Sequence, residues 1–224
     1  MRIFLPLFMI LTLAVSAAEN GLKLTFSSKR FSDGIPEKWG FQGKFFTNKP
    51  VYKIVKDADG QEVLRITVNK ASGTILYDIS GILEKYPIMR WKWRVNTLPA
   101  NADGRDPDRD DQVIAVYVGY GKLGSDSVAY RWETETPKGM KGQARYGGGM
   151  VKVNWIALRS KADKTGIWYT EEVNAAEDLK KILGGKLPDN EIAVSISSNS
   201  QYTKTSASAE LAWIEFLPLK AAKK

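Results

Sequence analysis

The chain has 224 residues, with 33 Lys and Arg against 25 Asp and Glu, a formal charge of +8, and neither cysteine nor histidine. Lacking thiol and imidazole, it cannot build a Ser-His-Asp or Cys-His nucleophile system, a thiolate zinc site, an iron–sulfur cluster or nearly any transition-metal centre. What remains is carboxylate, Tyr, Lys and Arg chemistry, a hard oxygen-ligated cation such as calcium, or binding without chemistry; no cofactor is expected, and the basic balance suits anionic partners.

In chain order, Arg2, the apolar run 3–15 and the small residues Ser16, Ala17 and Ala18 form the three parts of a secretory signal. Residues 1–18 are expected to be cleaved on export to the periplasm or beyond, leaving a mature start near Ala18 or Glu19, one domain over 19–220 and a basic tail over 221–224. No later segment is long and apolar enough to span a bilayer. Strand patterns follow at 22–26, at 51–56 and at 62–68, the last two forming a hairpin across Asp57-Ala58-Asp59-Gly60. Further strands are predicted at 73–79, 88–96, 112–120, 127–133, 150–159, 167–173, 191–197 and 209–216. One short helix is predicted near 174–184, with Asn174 as its cap, Glu177 as the capping-box partner, an apolar stripe of Leu179, Ile182 and Leu183, and Gly184-Gly185 as its stop. The fold expected is all-β and mainly antiparallel, a jelly-roll-like β-sandwich with the helix lying across an open end.

The run Met89 to Val95 is the most informative. Met89, Trp91, Trp93 and Val95 alternate with Arg90, Lys92 and Arg94, so one face of this strand is core and the other carries three cations. Like charges at this spacing repel, so carboxylates, water or an anionic ligand must offset them. Asp110, Asp111, Glu133, Glu171 and Glu172 are the expected partners on neighbouring strands.

The order of several motifs resembles a known family. Trp91-Lys92-Trp93-Arg94 is followed by a polar loop, then Arg109-Asp110-Asp111 leads into an apolar strand, and Tyr130-Arg131-Trp132, an aromatic strand at 168–173, the capped helix and a polar loop complete the series. This resembles the exported bacterial proteins grouped as domain of unknown function 3047. The resemblance covers nearly all of the mature chain and implies an exported β-rich domain with no assigned activity. The family pattern has an acidic stretch near the C-terminal polar loop, whereas this chain reads Ser197-Ser198-Asn199-Ser200-Gln201-Tyr202-Thr203.

Other motifs carry less. Gly119-Tyr120-Gly121-Lys122-Leu123-Gly124 matches a dinucleotide fingerprint in spacing, but a strand pattern follows where a helix is required, so it reads as a turn. Asp106, Asp108 and Asp110 have the alternate spacing of a calcium loop, without the glycine and the late glutamate such a loop uses. Glu133, Glu135, Glu171 and Glu172 are candidates for a glycosidase pair, which works at about 5–9.5 Å. Six of the seven tryptophans lie in predicted strands; Trp39 and Tyr202 are the least core-like aromatics. No nucleic-acid motif is present, and no specific nucleic-acid partner is expected.

These readings converge on an exported envelope protein that binds a glycan or other polyanion through a groove carrying Arg90, Lys92, Arg94, Tyr117, Arg131 and Glu133. A carbohydrate-active enzyme, hydrolase or lyase, is the alternative; a structural envelope protein with a self-paired charged face is the second alternative. The oligomeric state is not legible.

Overall fold

In the computed structural model, residues 21–43, 46–121 and 125–220 are described. The predicted signal (1–18), the basic tail (221–224) and the second half of the glycine motif (122–124) lie outside them. The strands are β1 (Lys23–Thr25), β2 (Phe31–Ser32), β3 (Ile35–Pro36), β4 (Gly40–Gly43), β5 (Val51–Lys56), β6 (Glu62–Asn69), β7 (Ser72–Asp78), β8 (Ile88–Thr97), β9 (Ile114–Tyr120), β10 (Asp126–Trp132), β11 (Lys141–Tyr146), β12 (Val151–Arg159), β13 (Tyr169–Asn174), β14 (Ile192–Asn199) and β15 (Ser206–Leu217). The helices are α1 (Ile82–Lys85) and α2 (Ala175–Ile182).

Two sheets face each other. A six-stranded sheet runs β13-β8-β15-β6-β5, with β1 also on β15, and a seven-stranded sheet runs β11-β12-β10-β9-β14-β7-β4. All pairs within them are antiparallel except β10 with β12. The chain passes repeatedly between the sheets, so the architecture is the expected β-sandwich. Period-two alternation explains the core: Met89, Trp91, Trp93 and Val95 from β8, Leu64, Ile66 and Val68 from β6, and Val116, Val118, Tyr130 and Trp132 from the opposite sheet are all buried between the layers. An aromatic ladder crosses this interface. Tyr130 meets Trp91 at 5.5 Å between ring centroids, Trp91 meets Trp93 at 5.4 Å, Trp93 meets Trp132 at 5.7 Å and Trp132 meets Tyr169 at 5.4 Å.

Helix α2 begins where predicted. The Asn174 side chain accepts a bond from the Glu177 N–H at 3.0 Å, and Glu177 turns to Lys180 rather than back to the cap, so the capping box is half made. Ala175, Ala176 and Leu179 are buried, and Tyr130 donates to Asp178 at 2.9 Å, which fastens the helix over one end of the sandwich. Among the described residues no helix is long and apolar enough to cross a membrane.

Some elements escaped the sequence pattern. Strand β11, Lys141-Gly142-Gln143-Ala144-Arg145-Tyr146, alternates small with polar residues and so lacks an apolar period. Trp39, expected outside the core, is buried between Phe26 and Tyr77 at 5.9 and 5.6 Å. Strand β15 contains a β-bulge where its neighbour changes from β6 to β1: Leu211 pairs with Trp93, and the next paired residue is Trp213, opposite Lys92. Ala212 is the extra residue. An inserted residue flips the parity of everything after it, so Ile214 and Phe216 point inward and Trp213 points out.

Candidate functional site

The structure divides the six expected groove residues between opposite outer faces. Arg90, Lys92 and Arg94 project from the six-stranded sheet, away from Trp91 and Trp93. Tyr117 and Arg131 project from the far side of the seven-stranded sheet, and Glu133 follows just beyond β10 on the same side. One groove holding all six does not exist, because β8 and the β9–β10 pair belong to different layers and each cation shares parity with the outward residues of its own layer.

On the first face, the partners of the cations come from β15. Glu215 lies opposite Arg90 and accepts from its Nε at 2.5 Å and its Nη2, with the Lys23 ammonium at 3.6 Å. Glu210 is fully buried and accepts from Arg94 at 2.5 Å and from Arg65 at 2.7 and 2.8 Å. Neither glutamate was among the expected partners. Their spacing of five puts them on opposite faces under strict alternation; the bulge at Ala212 puts both outside. The legible trace of that bulge is the unbroken apolar run Leu211-Ala212-Trp213-Ile214, which no half-exposed strand should contain.

The same bulge supplies an aromatic. Trp213 is half-buried, with Lys23 Nζ 4.9 Å and the Arg90 guanidinium 5.6 Å from its ring centroid. Trp168, at the entrance to β13, is also half-buried, with the Arg94 guanidinium at 4.6 Å and Lys92 Nζ at 5.5 Å. Lys92 stands between the two tryptophans, cross-strand from Trp213 on one side and from Thr170 on the other. Among the described residues it makes no ion pair. The platform spans three adjacent strands, roughly 10 Å across at ordinary sheet spacing.

On the second face, Arg131 is fully buried. Its Nη1 donates to Asp110 at 2.8 Å and lies 3.5 Å from Glu133; its Nη2 donates to the Tyr146 hydroxyl at 2.9 Å, and its guanidinium covers Trp155 at 5.4 Å. Tyr146 donates in turn to Asp110. Tyr117 accepts from Gln112 at 3.3 Å. Burial pushes the phenols of Tyr117 and Tyr146 up and holds both neutral. Asp111 turns the other way: it is fully buried and accepts the N–H groups of Tyr202 and Thr203 at 3.2 and 2.7 Å, which orders the polar loop before β15. Asp103, Thr136 and Tyr146 complete this polar cluster from loops and from β11, where period-two reasoning has no purchase.

The remaining candidates are dispersed. Asp106 accepts from Arg109 at 2.8 Å and from the Asp108 N–H at 3.0 Å, while Asp110 faces Arg131, so Asp106, Asp108 and Asp110 do not converge as calcium ligands. Glu171 faces the sandwich edge and takes bonds from Arg159 at 2.7 Å and Trp93 Nε1 at 3.1 Å. Glu135 pairs with Lys161, and Glu172 is exposed opposite Arg90. Among the described residues, no two of the carboxylates of Glu133, Glu135, Glu171 and Glu172 bond a common group. Gly121 follows β9 in a left-handed conformation and the next described element is strand β10, so among the described residues no helix N-terminus follows the motif to meet a nucleotide.

Solved structures similar to this chain include the family 11 carbohydrate-binding module of cellulosomal cellulase Lic26A-Cel5E of Clostridium thermocellum, at 10% identity and TM-score 0.46 over 91% of this chain and 99% of that one. Others are the CBM22-1 xylan-binding domain of Xyn10C from Paenibacillus barcinonensis (11%, TM-score 0.40, 92% and 100%) and the xyloglucanase domain of NopAA, a type three effector from Sinorhizobium fredii (10%, TM-score 0.45, 88% and 97%). No curated protein matches the chain. The model of the family described as Protein of unknown function (DUF3047) matches residues 37–215, and the chain belongs to that family.

Proposed function

We propose that this is an exported, non-catalytic binding module for an acidic, carboxylate-bearing glycan, and that its contact surface is the outer face of the six-stranded sheet. The observation that carries the reading is Lys92. Its neighbours Arg90 and Arg94 are ion-paired with Glu215 and Glu210, which fixes them as a frame. Among the described residues, Lys92 alone of the three is held only by an aromatic face, that of Trp168. An exposed cation–π contact is worth roughly 0.5–1 kcal/mol, less than a charge-assisted hydrogen bond. A sugar carboxylate therefore draws the ammonium off the ring, and the vacated indole face accepts the apolar side of the sugar. Trp213 offers a second stacking surface one strand away. A fully self-paired face would favour a structural role, and Lys92 breaks that pairing. The tripartite N-terminal segment supports export, placing the module where envelope or extracellular glycans are met.

The test is a binding panel of a polyuronate, a sulfated glycan and a neutral β-glucan against the parent, Lys92→Ala and Lys92→Arg. The parent should bind the polyuronate and not the neutral glycan. Lys92→Ala should bind at least about tenfold more weakly with its melting temperature unchanged, and Lys92→Arg should retain binding. Equal binding by Lys92→Ala and parent would remove this face from the site.

A further inference from the structure

The buried cluster on the seven-stranded sheet contains one guanidinium and two carboxylates around it. Arg131 Nη1 reaches both Asp110 and Glu133, and all three groups are shielded from solvent. One cation balances one carboxylate, and a second ionised carboxylate buried beside it would stand uncompensated. The hydrogen-bond geometry says which of the two is neutral. Asp110 has a donor on each oxygen, Arg131 on Oδ1 and the Tyr146 hydroxyl on Oδ2, and two donated bonds favour its charged form. Glu133 Oε2 instead faces the Thr136 hydroxyl oxygen at 3.1 Å. That same oxygen lies 3.2 Å from Asp103 Oδ1 and accepts the Gly104 N–H at 2.8 Å.

Thr136 has one hydroxyl hydrogen and two lone pairs. Asp103 is firmly a carboxylate: its side-chain bond with Arg105 lowers it to about 2. Arg105 contributes Nε at 2.7 Å, Nη2 at 2.5 Å and its own N–H at 3.1 Å. If Glu133 were ionised as well, one of the two carboxylate contacts to Thr136 would press lone pairs together. A proton on Glu133 Oε2 satisfies every contact of the Thr136 hydroxyl: Glu133 donates to Thr136, Thr136 donates to Asp103, and Gly104 fills the second lone pair. Burial also pushes the Glu133 carboxyl up, with Arg131 opposing and Asp110 assisting.

We propose that Glu133 is un-ionised at neutral pH and that its proton latches the 98–112 loop over the outer face of the seven-stranded sheet. The relay Glu133–Thr136–Asp103 joins the end of β10 to that loop, and Gly104 packs so closely that an added Cβ would stand 3.0 Å from Glu133 Oε1. The groups facing Glu133 are Arg131 from β10, Asp110, Asp103 and Gly104 from the loop, Thr136 from the following turn and Tyr117 from β9; of these Arg131 alone is cationic, while Arg105 pairs with Asp103 and Tyr146 of β11 bonds Arg131 and Asp110. Loss of the proton sets a third negative charge beside Asp103 and Asp110 and breaks the relay. Opening there would uncover Arg131 Nε, Gln112 Oε1 and Trp155 Nε1, three buried polar atoms with no hydrogen-bond partner among the described residues.

The folded state then binds a proton that the unfolded chain releases above the ordinary glutamate value, so stability is greatest below that value and falls as pH rises toward the folded one. Unfolding equilibria of the parent and Glu133→Gln, measured from about pH 5 to about pH 8, isolate this group, since the amide keeps a neutral donor toward Thr136. The ratio of unfolding constants, parent over variant, should climb by up to about tenfold per pH unit. A flat ratio, or one that falls, means Glu133 is an ordinary or Arg131-paired carboxylate and overturns the proposal. Hydrogen exchange at Gly104 and Asp106 should quicken in the parent relative to the variant over the same range; equal protection would refute the latch. Should Glu133→Gln not fold, the carboxyl carbon resonance of Glu133 in the parent decides the matter: it should keep the position of an acid at pH 7, and a carboxylate position there contradicts the assignment.

Discussion

Trp91 and Trp93 are both fully buried, stand two residues apart on β8 and touch each other edge to face at 5.4 Å, yet replacing each by Phe should have unequal consequences. Each change removes similar volume from the same layer, for a packing loss of about 1–2 kcal/mol. The indole N–H groups differ. Trp93 Nε1 donates to Glu171 at 3.1 Å, and Glu171 is also held by Arg159, so this bond ties β8 to the ion pair at the sandwich edge. Its loss adds about 1.5–3 kcal/mol, the range for a bond to a charged acceptor. Trp91 Nε1 is buried without a partner among the described residues, so Phe there removes an unsatisfied donor and recovers part of the packing loss. Trp93→Phe should therefore destabilise by at least about 1.5–3 kcal/mol more than Trp91→Phe. Urea titrations followed by far-ultraviolet circular dichroism, compared at constant slope, measure the difference. Equal midpoints, or a larger loss for Trp91→Phe, would refute the bookkeeping of these two donors.

Three further outcomes follow from side-chain environment. Arg94→Ala should lower stability by about 1–3 kcal/mol, because buried Glu210 keeps only Arg65 as its cationic partner; an unchanged denaturation midpoint would make Arg94 a free surface cation. Gly142→Ala should cost about 1–3 kcal/mol by overpacking, since the new Cβ would sit 2.1 Å from Trp155 Cζ2; thermal melts decide it, and a neutral result would mean that the indole can tilt away. Asp111→Ala should destabilise by about 3 kcal/mol by releasing the Tyr202 and Thr203 N–H groups, whereas Asp106→Ala should leave the melting temperature, with and without added calcium, where it was.

The framework of the fold was readable because 88–96 and 127–133 alternate so regularly that burial of Trp91 and Tyr130 follows from parity, while the unbroken apolar run 113–118 marked a strand covered on both faces. Asn174, the Gly184-Gly185 pair and the apolar stripe of Leu179, Ile182 and Leu183 marked α2. What escaped reading escaped for physical reasons. Strand β11 is an edge strand whose small residues make room for the Trp155 ring, so it has no apolar signature. The bulge at Ala212 reverses parity within β15, which hid both Glu210 and Glu215 as partners and sent Trp213 outward. Assigning Arg90 and Arg131 to one groove required knowing which strands share a layer, and that is set by long-range pairing that local pattern does not encode. Glu133 stood among the candidates as a charged groove residue; its burial depends on a loop from 98–112 folding back over it.

The central claim, that the outer face of the six-stranded sheet binds an acidic glycan between Trp168 and Trp213, is tested most directly by following the indole N–H resonances of the parent protein during titration with a defined oligouronate. The account predicts saturable shifts for Trp168 and Trp213, weakened by added salt, with Trp91, Trp93 and Trp132 unmoved in the core. Saturable shifts confined to Trp155 on the opposite face, or no shifts with any acidic oligosaccharide, would contradict it.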